Sequence, residues 1–335
     1  SIRWGKTSDN VEQIEGIFSD GSIAQLNNIN LDNFARDNGH SNRVNSIATQ
    51  LKQIGLEYRK EIINRYPKIM RRVSGYNLDQ LIDSNQIDLA KFVVGSEGTL
   101  LTITEVELKL VDKPKHKGLA VIHFKDLIES MEATVEILEM DPAAVEHVGE
   151  IILQEARRHN EYRKLMGFVN GDPNSLLIVE FTGNSEQEVI SHLDTIKIKM
   201  SKSKLSYHTT LILDEAEQAN VWAVRRAGLG LMMNVIGDAK PIPFVEDTAV
   251  EPNLLPQFVK RFDEILKNSG TKAGYYGHAS VGCLHIRPLI NLKDSVGIQQ
   301  LKDIAVNHHF FALPMNPALP VLINIFLASF CIPKI

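Results

Sequence analysis

The stretch "YGHASVGCLH", residues 276–285, carries two histidines and two glycines between two runs that are typical of strands. If the chain reverses through a two-residue turn at Val281-Gly282, His278 lies directly opposite His285. Directly opposed residues share one face of a sheet with their Cβ atoms about 5 Å apart, so two imidazoles there can converge on one ion. The pattern predicts an antiparallel hairpin and permits a metal site. A polar cross-strand pair without a metal is the alternative.

Strand-like and helix-like segments alternate on the N-terminal side of this hairpin. The strand-like runs are "LAVIHF", "SLLIVEF", "YHTTLIL", "AGYYGHA" and "CLHIRPL". Apolar residues recur at helical spacing in 126–139, 185–198, 214–232 and 253–268. This mixture predicts an α+β domain in which helices cover an antiparallel sheet.

The N-terminal third has a different pattern. Apolar alternation on both sides of Asp20-Gly21 predicts a second hairpin. Residues 42–66 are apolar at mostly helical spacing, which predicts a long amphipathic helix with an interruption at Gly55. The segment 92–111 predicts a short strand, a glycine loop and an alternating strand.

The totals exclude some classes of protein. A chain of 335 residues exceeds what one hydrophobic core usually organises, so two domains are expected. The net charge of -5 argues against a nucleic-acid partner. The two cysteines, Cys283 and Cys331, form no disulfide framework and fit a reducing compartment, which favours the cytoplasm. No apolar leader follows Ser1, so we expect an internal cut there rather than a signal peptide.

Two short stretches have residues suited to binding. The loop "VGSEGTL" contains Gly95 and Gly98, which let the backbone approach a ligand and present N–H groups, although an ordinary turn has the same pattern. The run "WAVRRAGLGLMM" contains Arg225 and Arg226. An arginine that faces the core beside a sheet can hold a carboxylate through two parallel hydrogen bonds. Only one of the two can face the core, and a solvated face is the alternative for both.

Several motifs occur together and in the order of one family: "SIRWGKTSDNV", "RRVSGYNL", "VGSEGTL", "WAVRR" and "YGHASVGCLH". In this order they resemble the FAD-linked oxidases and dehydrogenases of the vanillyl-alcohol-oxidase (PCMH-type) family. The branch is that of D-lactate dehydrogenase, glycolate oxidase and D-2-hydroxyglutarate dehydrogenase. The resemblance implies the C-terminal part of a PCMH-type FAD-binding domain, followed by a ferredoxin-like antiparallel-sheet cap domain.

The resemblance also implies roles for particular residues. It places FAD against Gly95, Ser96, Glu97, Gly98, Thr99 and Ile103. It implies that Arg225 binds the carboxylate of the substrate. It further implies that His278 and His285 take part in catalysis and hold a divalent metal such as Zn, Fe or Mn.

The sequence departs from the family pattern in several places. Ser280, Val281 and Cys283 stand where the family usually has Gly, Asp and Asn. Leu101 replaces a small residue, and we expect its bulk to crowd the flavin. The family's glycine-rich pyrophosphate loop and its G-E-H-G-D-G segment have no counterpart here. We therefore expect the chain to be the middle of an enzyme.

Composition and resemblance together divide the chain. The polar segment "DKPKHKG" interrupts the strand pattern, and no Asp, Glu, Lys or Arg occurs from residue 309 to 333. The expected segments are a partial FAD-binding domain at 1–112, a linker at 113–117, a substrate or cap domain at 118–306 and an atypical apolar tail at 307–335.

The implied activity is oxidation of a D-2-hydroxy acid of the D-lactate, glycolate or D-2-hydroxyglutarate class, with hydride transfer to FAD. A non-redox flavin transferase of the ether-lipid synthase type and a non-catalytic fragment are the alternatives. The expected partners are a small 2-hydroxy acid, an iron–sulfur domain or other electron acceptor, and further copies of the chain in a homo-oligomer. The expected location is the cytoplasm, with peripheral attachment to the inner membrane as a variant.

Overall fold

The computed structural model describes residues 2–30, 41–66, 68–72, 75–83 and 85–312, and it divides the chain into two compact units. One unit comprises residues 4–112, and the other comprises residues 1–3 together with the chain from residue 113 onward. The part of the expected apolar tail beyond residue 312 lies outside the described residues. Among the described helices, none is long and apolar enough to cross a membrane.

The smaller unit contains an antiparallel sheet with the strand order β2-β1-β5 and a separate pair, β3-β4. Its strands are β1 (Val11–Ile17), β2 (Ile23–Leu26), β3 (Asn28–Asn30), β4 (Gln86–Asp88) and β5 (Thr102–Leu108). Its helices are α1 (Thr7–Asn10), α2 (Asn42–Glu57), α3 (Arg59–Arg65) and α4 (Leu89–Val93). The predicted hairpin at Asp20-Gly21 is confirmed: Ile17 pairs with Ile23, and Gly21 adopts a φ of 84°.

The interruption predicted at Gly55 is wrong. Helix α2 continues through Gly55 to Glu57, and the break falls at Tyr58. Gly55 is required by packing, because a Cβ atom there would lie 2.1 Å from the carbonyl oxygen of Leu81. The glycine therefore lets another backbone segment press against the helix without ending it.

A bulge interrupts the alternation of side chains between the two faces of β5. Its pairing with β1 shifts between Glu15 opposite Glu105 and Gly16 opposite Ile103, which leaves Thr104 as the extra residue. The bulge brings Ile103 onto the face of β5 that Val106 also occupies. Both side chains are about two-fifths exposed, so this apolar face is only partly covered within the described unit.

The larger unit contains one sheet with the order β10-β13-β12-β7-β8-β6-β9, in which every pairing is antiparallel and β11 also pairs with β13. Its strands are β6 (His116–Phe124), β7 (Ala144–Gly149), β8 (Ser175–Gly183), β9 (His208–Ile212), β10 (Lys240–Pro241), β11 (Val245–Ala249), β12 (Ala273–His278) and β13 (Cys283–Ile290). The predicted α+β architecture is confirmed.

Helices cover both faces of this sheet, so its central strands are buried on both sides. Helices α5 (Leu127–Leu138), α8 (Glu186–Ser203), α11 (Leu255–Asn268) and α12 (Ser295–Ala312) contribute to one core. Helices α6 (Glu150–Arg158), α7 (Tyr162–Leu165), α9 (Glu215–Arg226) and α10 (Gly228–Met233) contribute to the other. Neighbouring residues of β6 belong to different cores, as the alternation of a strand requires: Val121 faces the second and Ile122 the first.

Strand β7 is absent from the sequence-based prediction although it lies in the middle of the sheet, between β12 and β8. Its six residues include Glu146 and His147, so it lacks the apolar run that identified the other central strands. Pairing on both sides holds this strand in place despite its polar residues.

The register predicted for the hairpin at 276–285 is also wrong. His285 lies opposite Tyr276, and His278 lies opposite Cys283. The pairing is shifted by two residues from the predicted one. Side chains alternate with a period of two, so both histidines remain on one face, as diagonal neighbours.

The connection between the two strands explains this shift. Residues 279–281 form a 3-10 turn, and Gly282 adopts a left-handed φ of 65°. Four residues therefore link the strands instead of two. A side chain at Gly282 would collide with the carbonyl oxygen of Val250, whose own N–H donates a hydrogen bond to the Gly282 carbonyl.

Among the residues of the larger unit whose burial is described, His123 and His147 are fully buried histidines. Burial, reinforced by the nearby Arg225 guanidinium, lowers the pKa of His147 to about 3. Burial, with a contribution from His208, lowers the pKa of His123 to about 4. Both rings are therefore neutral in the folded protein at pH 7. The unfolded chain binds protons at these rings below about pH 6.5, so acid favours unfolding.

We expect His147→Leu to flatten the pH dependence of stability. Between pH 7 and pH 4.5 the free energy of unfolding should fall by about 2 kcal/mol less in this variant than in the wild type. Urea unfolding at the two pH values measures the difference. The exposed His116→Leu is the control and should follow the wild type. An equal change in the free energy of unfolding between the two pH values for H147L and the wild type would contradict the lowered pKa of His147.

We expect Gly55→Ala to destabilise the smaller unit by about 1–3 kcal/mol, because the new methyl group meets backbone that cannot rotate away. Gly230→Ala is the matched control, since Gly230 is also helical and a Cβ there meets nothing within 4 Å. That change should leave stability the same or raise it by up to about 1 kcal/mol. Thermal unfolding of both variants decides the comparison.

Candidate functional site

The glycine loop of the smaller unit follows α4 and leads into β5. The short strand predicted before the loop is wrong, because Phe92 and Val93 end the helix α4. Three of its residues have left-handed backbone conformations: Gly95 with a φ of 82°, Glu97 with 52° and Gly98 with 73°. A Cβ at either glycine would meet nothing within 4 Å, so the conformation rather than close packing requires glycine. Within the loop, the N–H of Ser96 donates a hydrogen bond to the carbonyl oxygen of Val93, and the N–H of Thr99 donates one to that of Ser96. Left-handed residues in a tight turn are typical of loops that bring backbone close to an anionic or polar ligand.

The segment "GYN" holds this loop in place. The side-chain amide of Asn77 donates hydrogen bonds to the carbonyl oxygens of Lys91 and Val94, both at 2.8 Å. The hydroxyl of Tyr76 lies 2.9 Å from that of Thr99. These contacts tie the loop to helix α4 and to the segment before it.

The neighbouring residues are divided between surface and core. Ser96 is buried, and Ile103 is exposed on the partly covered face of β5. Leu101 is also buried and packs at Gly16, where a Cβ would meet its side chain at 2.3 Å. The bulk of Leu101 is thus accommodated within the core of this unit.

A cluster of polar side chains lies on one face of the larger sheet, and Glu146 is at its centre. One carboxylate oxygen, Oε2, accepts hydrogen bonds from Arg225 Nε at 3.1 Å and Nη2 at 2.7 Å. The other, Oε1, lies 2.8 Å from Nδ1 of His278. The side chains of Glu146 and Arg225 are only 13% and 11% exposed, so solvent screens this pair weakly.

Aromatic and cationic groups complete the cluster. The rings of His278 and His285 meet edge to face with 5.5 Å between their centroids. The ring of Tyr276 lies 4.7 Å from that of His285, and the guanidinium carbons of Arg225 and Arg287 lie 5.3 and 6.0 Å from its centre. Such distances permit favourable cation–π contacts.

The helix α9 explains why one of two adjacent arginines reaches this cluster. Asp214 caps its N-terminus by accepting a hydrogen bond from the N–H of Glu217. Val221 and Val224 bury the inner face, and Arg225 follows on the last turn with its guanidinium toward Glu146. Arg226 is exposed. As expected, only one arginine of the pair faces the core.

The described residues contain no group of three or more His, Cys, Asp or Glu side chains arranged to hold a metal. His278 and His285 are close enough to share an ion, but His278 Nδ1 is engaged by Glu146, which leaves Nε2 as its only ligand atom.

The sequence-based prediction contained Arg225, His278 and His285 and missed Glu146. A single carboxylate within a six-residue strand gives little signal, because the neighbouring residues do not show what it pairs with. Its partners come from β12 and from α9, far along the chain, and no local pattern connects them.

Comparisons with known proteins show to which family this chain is related. The sequence profile described as FAD linked oxidases, C-terminal domain, matches residues 113–309. The D-2-hydroxyglutarate dehydrogenase of Escherichia coli (strain K12) is 28% identical over 321 residues, covering 91% of this chain and 31% of that protein. The D-lactate dehydrogenase of Archaeoglobus fulgidus is 26% identical over 231 residues, covering 68% of this chain and 46% of that protein.

A comparison with solved structures agrees with the sequence comparisons. The crystal structure of p-cresol methylhydroxylase with substrate bound matches with a TM-score of 0.51 at 9% identity, covering 92% of this chain and 63% of that one. The predicted PCMH-type fold is confirmed. The chain spans about a third of the length of the D-2-hydroxyglutarate dehydrogenases it matches. With its family profile covering more than half of its residues, the chain belongs to the FAD-linked oxidases and carries their C-terminal domain.

Proposed function

We propose that the intact protein is an FAD-dependent oxidoreductase that oxidises a D-2-hydroxy acid. The observation that carries the proposal is the cluster of Arg225, Glu146 and His278, which combines a carboxylate-binding group with a group that can accept a proton. Four relatives with 27–28% identity bear the name D-2-hydroxyglutarate dehydrogenase, which favours D-2-hydroxyglutarate as the first substrate to test.

Arg225 would hold the carboxylate of the hydroxy acid. Glu146 occupies the edge of the guanidinium formed by Nε and Nη2, and the edge formed by Nη1 and Nη2 can still make two parallel hydrogen bonds. A substrate fixed at this edge loses its freedom of orientation before the reaction, which lowers the barrier.

FAD, when bound, would accept the hydride from the substrate. We propose that the glycine loop contacts it through Gly95, Ser96, Glu97, Gly98 and Thr99, with Ile103 nearby. The three left-handed residues of this loop and its anchoring by Asn77 support the proposal. Electrons leaving FAD would pass to an iron–sulfur domain or another acceptor.

We also propose that His278 and His285 hold a divalent metal in the intact protein. Such an ion would polarise the hydroxyl oxygen of the substrate and favour loss of its proton. The 5.5 Å separation of the rings supports this role. Without a metal, the same two imidazoles could accept the proton themselves.

We expect Arg225→Lys to raise the KM for the hydroxy acid at least about tenfold, because an ammonium group cannot make two parallel bonds to a carboxylate. The measurement is oxidation of D-2-hydroxyglutarate by the FAD-loaded intact protein with an artificial electron acceptor. Arg226→Lys is the matched control and should keep the wild-type KM. An unchanged KM for R225K would exclude Arg225 as the group that binds the carboxylate of the substrate. An inactive wild type would favour the non-redox transferase or the non-catalytic fragment instead.

We expect the purified intact protein to contain a divalent metal and His278→Ala to lose it. Elemental analysis of both proteins measures this content. His159→Ala, which removes a histidine remote from the cluster in sequence, should retain the metal. Less than about a tenth of an equivalent in the wild type would exclude the ligand role of the histidine pair.

A further inference from the structure

We infer that Glu146 is a positioning residue that sets the tautomer of His278 while it orients Arg225. The inference rests on the proposed function, because it assigns to one carboxylate the alignment of both groups that would act on the hydroxy acid. It follows from three hydrogen bonds to two different oxygens of the same side chain.

The first step concerns His278. An ionised carboxylate can only accept hydrogen bonds, so the contact at 2.8 Å requires a proton on Nδ1 of His278. In the neutral ring the lone pair then belongs to Nε2. The carboxylate thereby directs the basic nitrogen away from itself and makes it available to a substrate proton or an ion.

The second step concerns Arg225. Its side-chain N–H groups can only donate, so any residue at position 146 must offer an acceptor to keep the guanidinium in place. Oε2 does so for both Nε and Nη2. This fixes the rotation of the planar group and leaves the edge formed by Nη1 and Nη2 for a carboxylate.

These two requirements make Glu146→Gln a selective change. The amide has one acceptor oxygen. This oxygen must face Arg225, because a guanidinium can donate hydrogen bonds but cannot accept them. The NH₂ group then faces Nδ1 of His278, which has to accept. The proton of the imidazole moves to Nε2, and the lone pair on the side away from residue 146 is lost. Size and the contact with Arg225 are retained.

The location of the three groups explains why this change should stay local. Glu146 lies on β7 directly across from His278 on β12, since Val148 pairs with Tyr276 and His147 with Gly277. Both strands are paired on either side within the sheet. The backbone that carries the cluster is therefore held independently of this carboxylate.

The first test is kinetic, on the FAD-loaded intact protein with D-2-hydroxyglutarate. We expect Glu146→Gln to lower kcat about 100-fold or more and to change KM less than about threefold. The reason is that the Nε2 lone pair of His278, which would accept the substrate proton or hold the ion, is lost, whereas Arg225 keeps its hydrogen-bond acceptor. Glu146→Ala should lower kcat and raise KM together. A kcat of E146Q within about twofold of the wild type would overturn the inference.

The second test needs no turnover. In ¹⁵N NMR spectra of histidine-labelled protein without metal, assigned by comparison with His278→Ala, the wild type should show the Nδ1-protonated tautomer of His278 and E146Q the Nε2-protonated one. The same tautomer in both proteins would overturn the inference. A wild type that shows the expected tautomer but oxidises no hydroxy acid would overturn the proposed function alone.

Glu155→Gln is the matched control. Glu155 is also a buried carboxylate, 8% exposed and paired with Arg158 at 2.6 Å, but it lies on α6 outside the cluster. This variant should keep the wild-type kcat, KM and His278 tautomer. If it changed them as E146Q does, the effects would reflect general loss of a buried charge, and the specific role of Glu146 would be wrong.

Discussion

The double contact of the Glu146 carboxylate is the interaction on which the polar cluster depends. Arginine can only donate hydrogen bonds, and a carboxylate can only accept them, so each group has a defined orientation when they meet. Because the second oxygen binds His278, the same side chain also determines which imidazole nitrogen carries the proton. Low exposure of the pair keeps solvent from competing for these bonds.

A sheet covered on both faces provides the rigid support for this cluster. Polar side chains on a central strand are costly unless they find partners, and β7 carries two of them. Glu146 is satisfied by Arg225 and His278. His147, on the opposite face, remains neutral because burial makes its charged form unfavourable. The same sheet therefore tolerates one buried ionised group and one buried neutral group for different physical reasons.

The smaller unit holds a loop in backbone conformations that most residues avoid. Gly95 and Gly98 adopt left-handed conformations without steric cost, whereas Glu97 does so at some cost in free energy. Asn77 compensates by tying the loop to the preceding helix through two hydrogen bonds. Backbone hydrogen bonds from Ser96 to Val93 and from Thr99 to Ser96 also hold the loop, so its conformation is defined without a ligand.

The sequence by itself determined the α+β class, the hairpin at Asp20-Gly21, the glycine loop and three of the clustered side chains: Arg225, His278 and His285. These features have local signals, because periodicity, turn residues and short motifs depend on neighbours in the chain. Only the tertiary structure decided the pairing of His278 with Cys283, the place of β7 and the role of Glu146. These depend on contacts between residues more than 70 positions apart or on a turn stabilised by another segment, and no local pattern encodes such contacts.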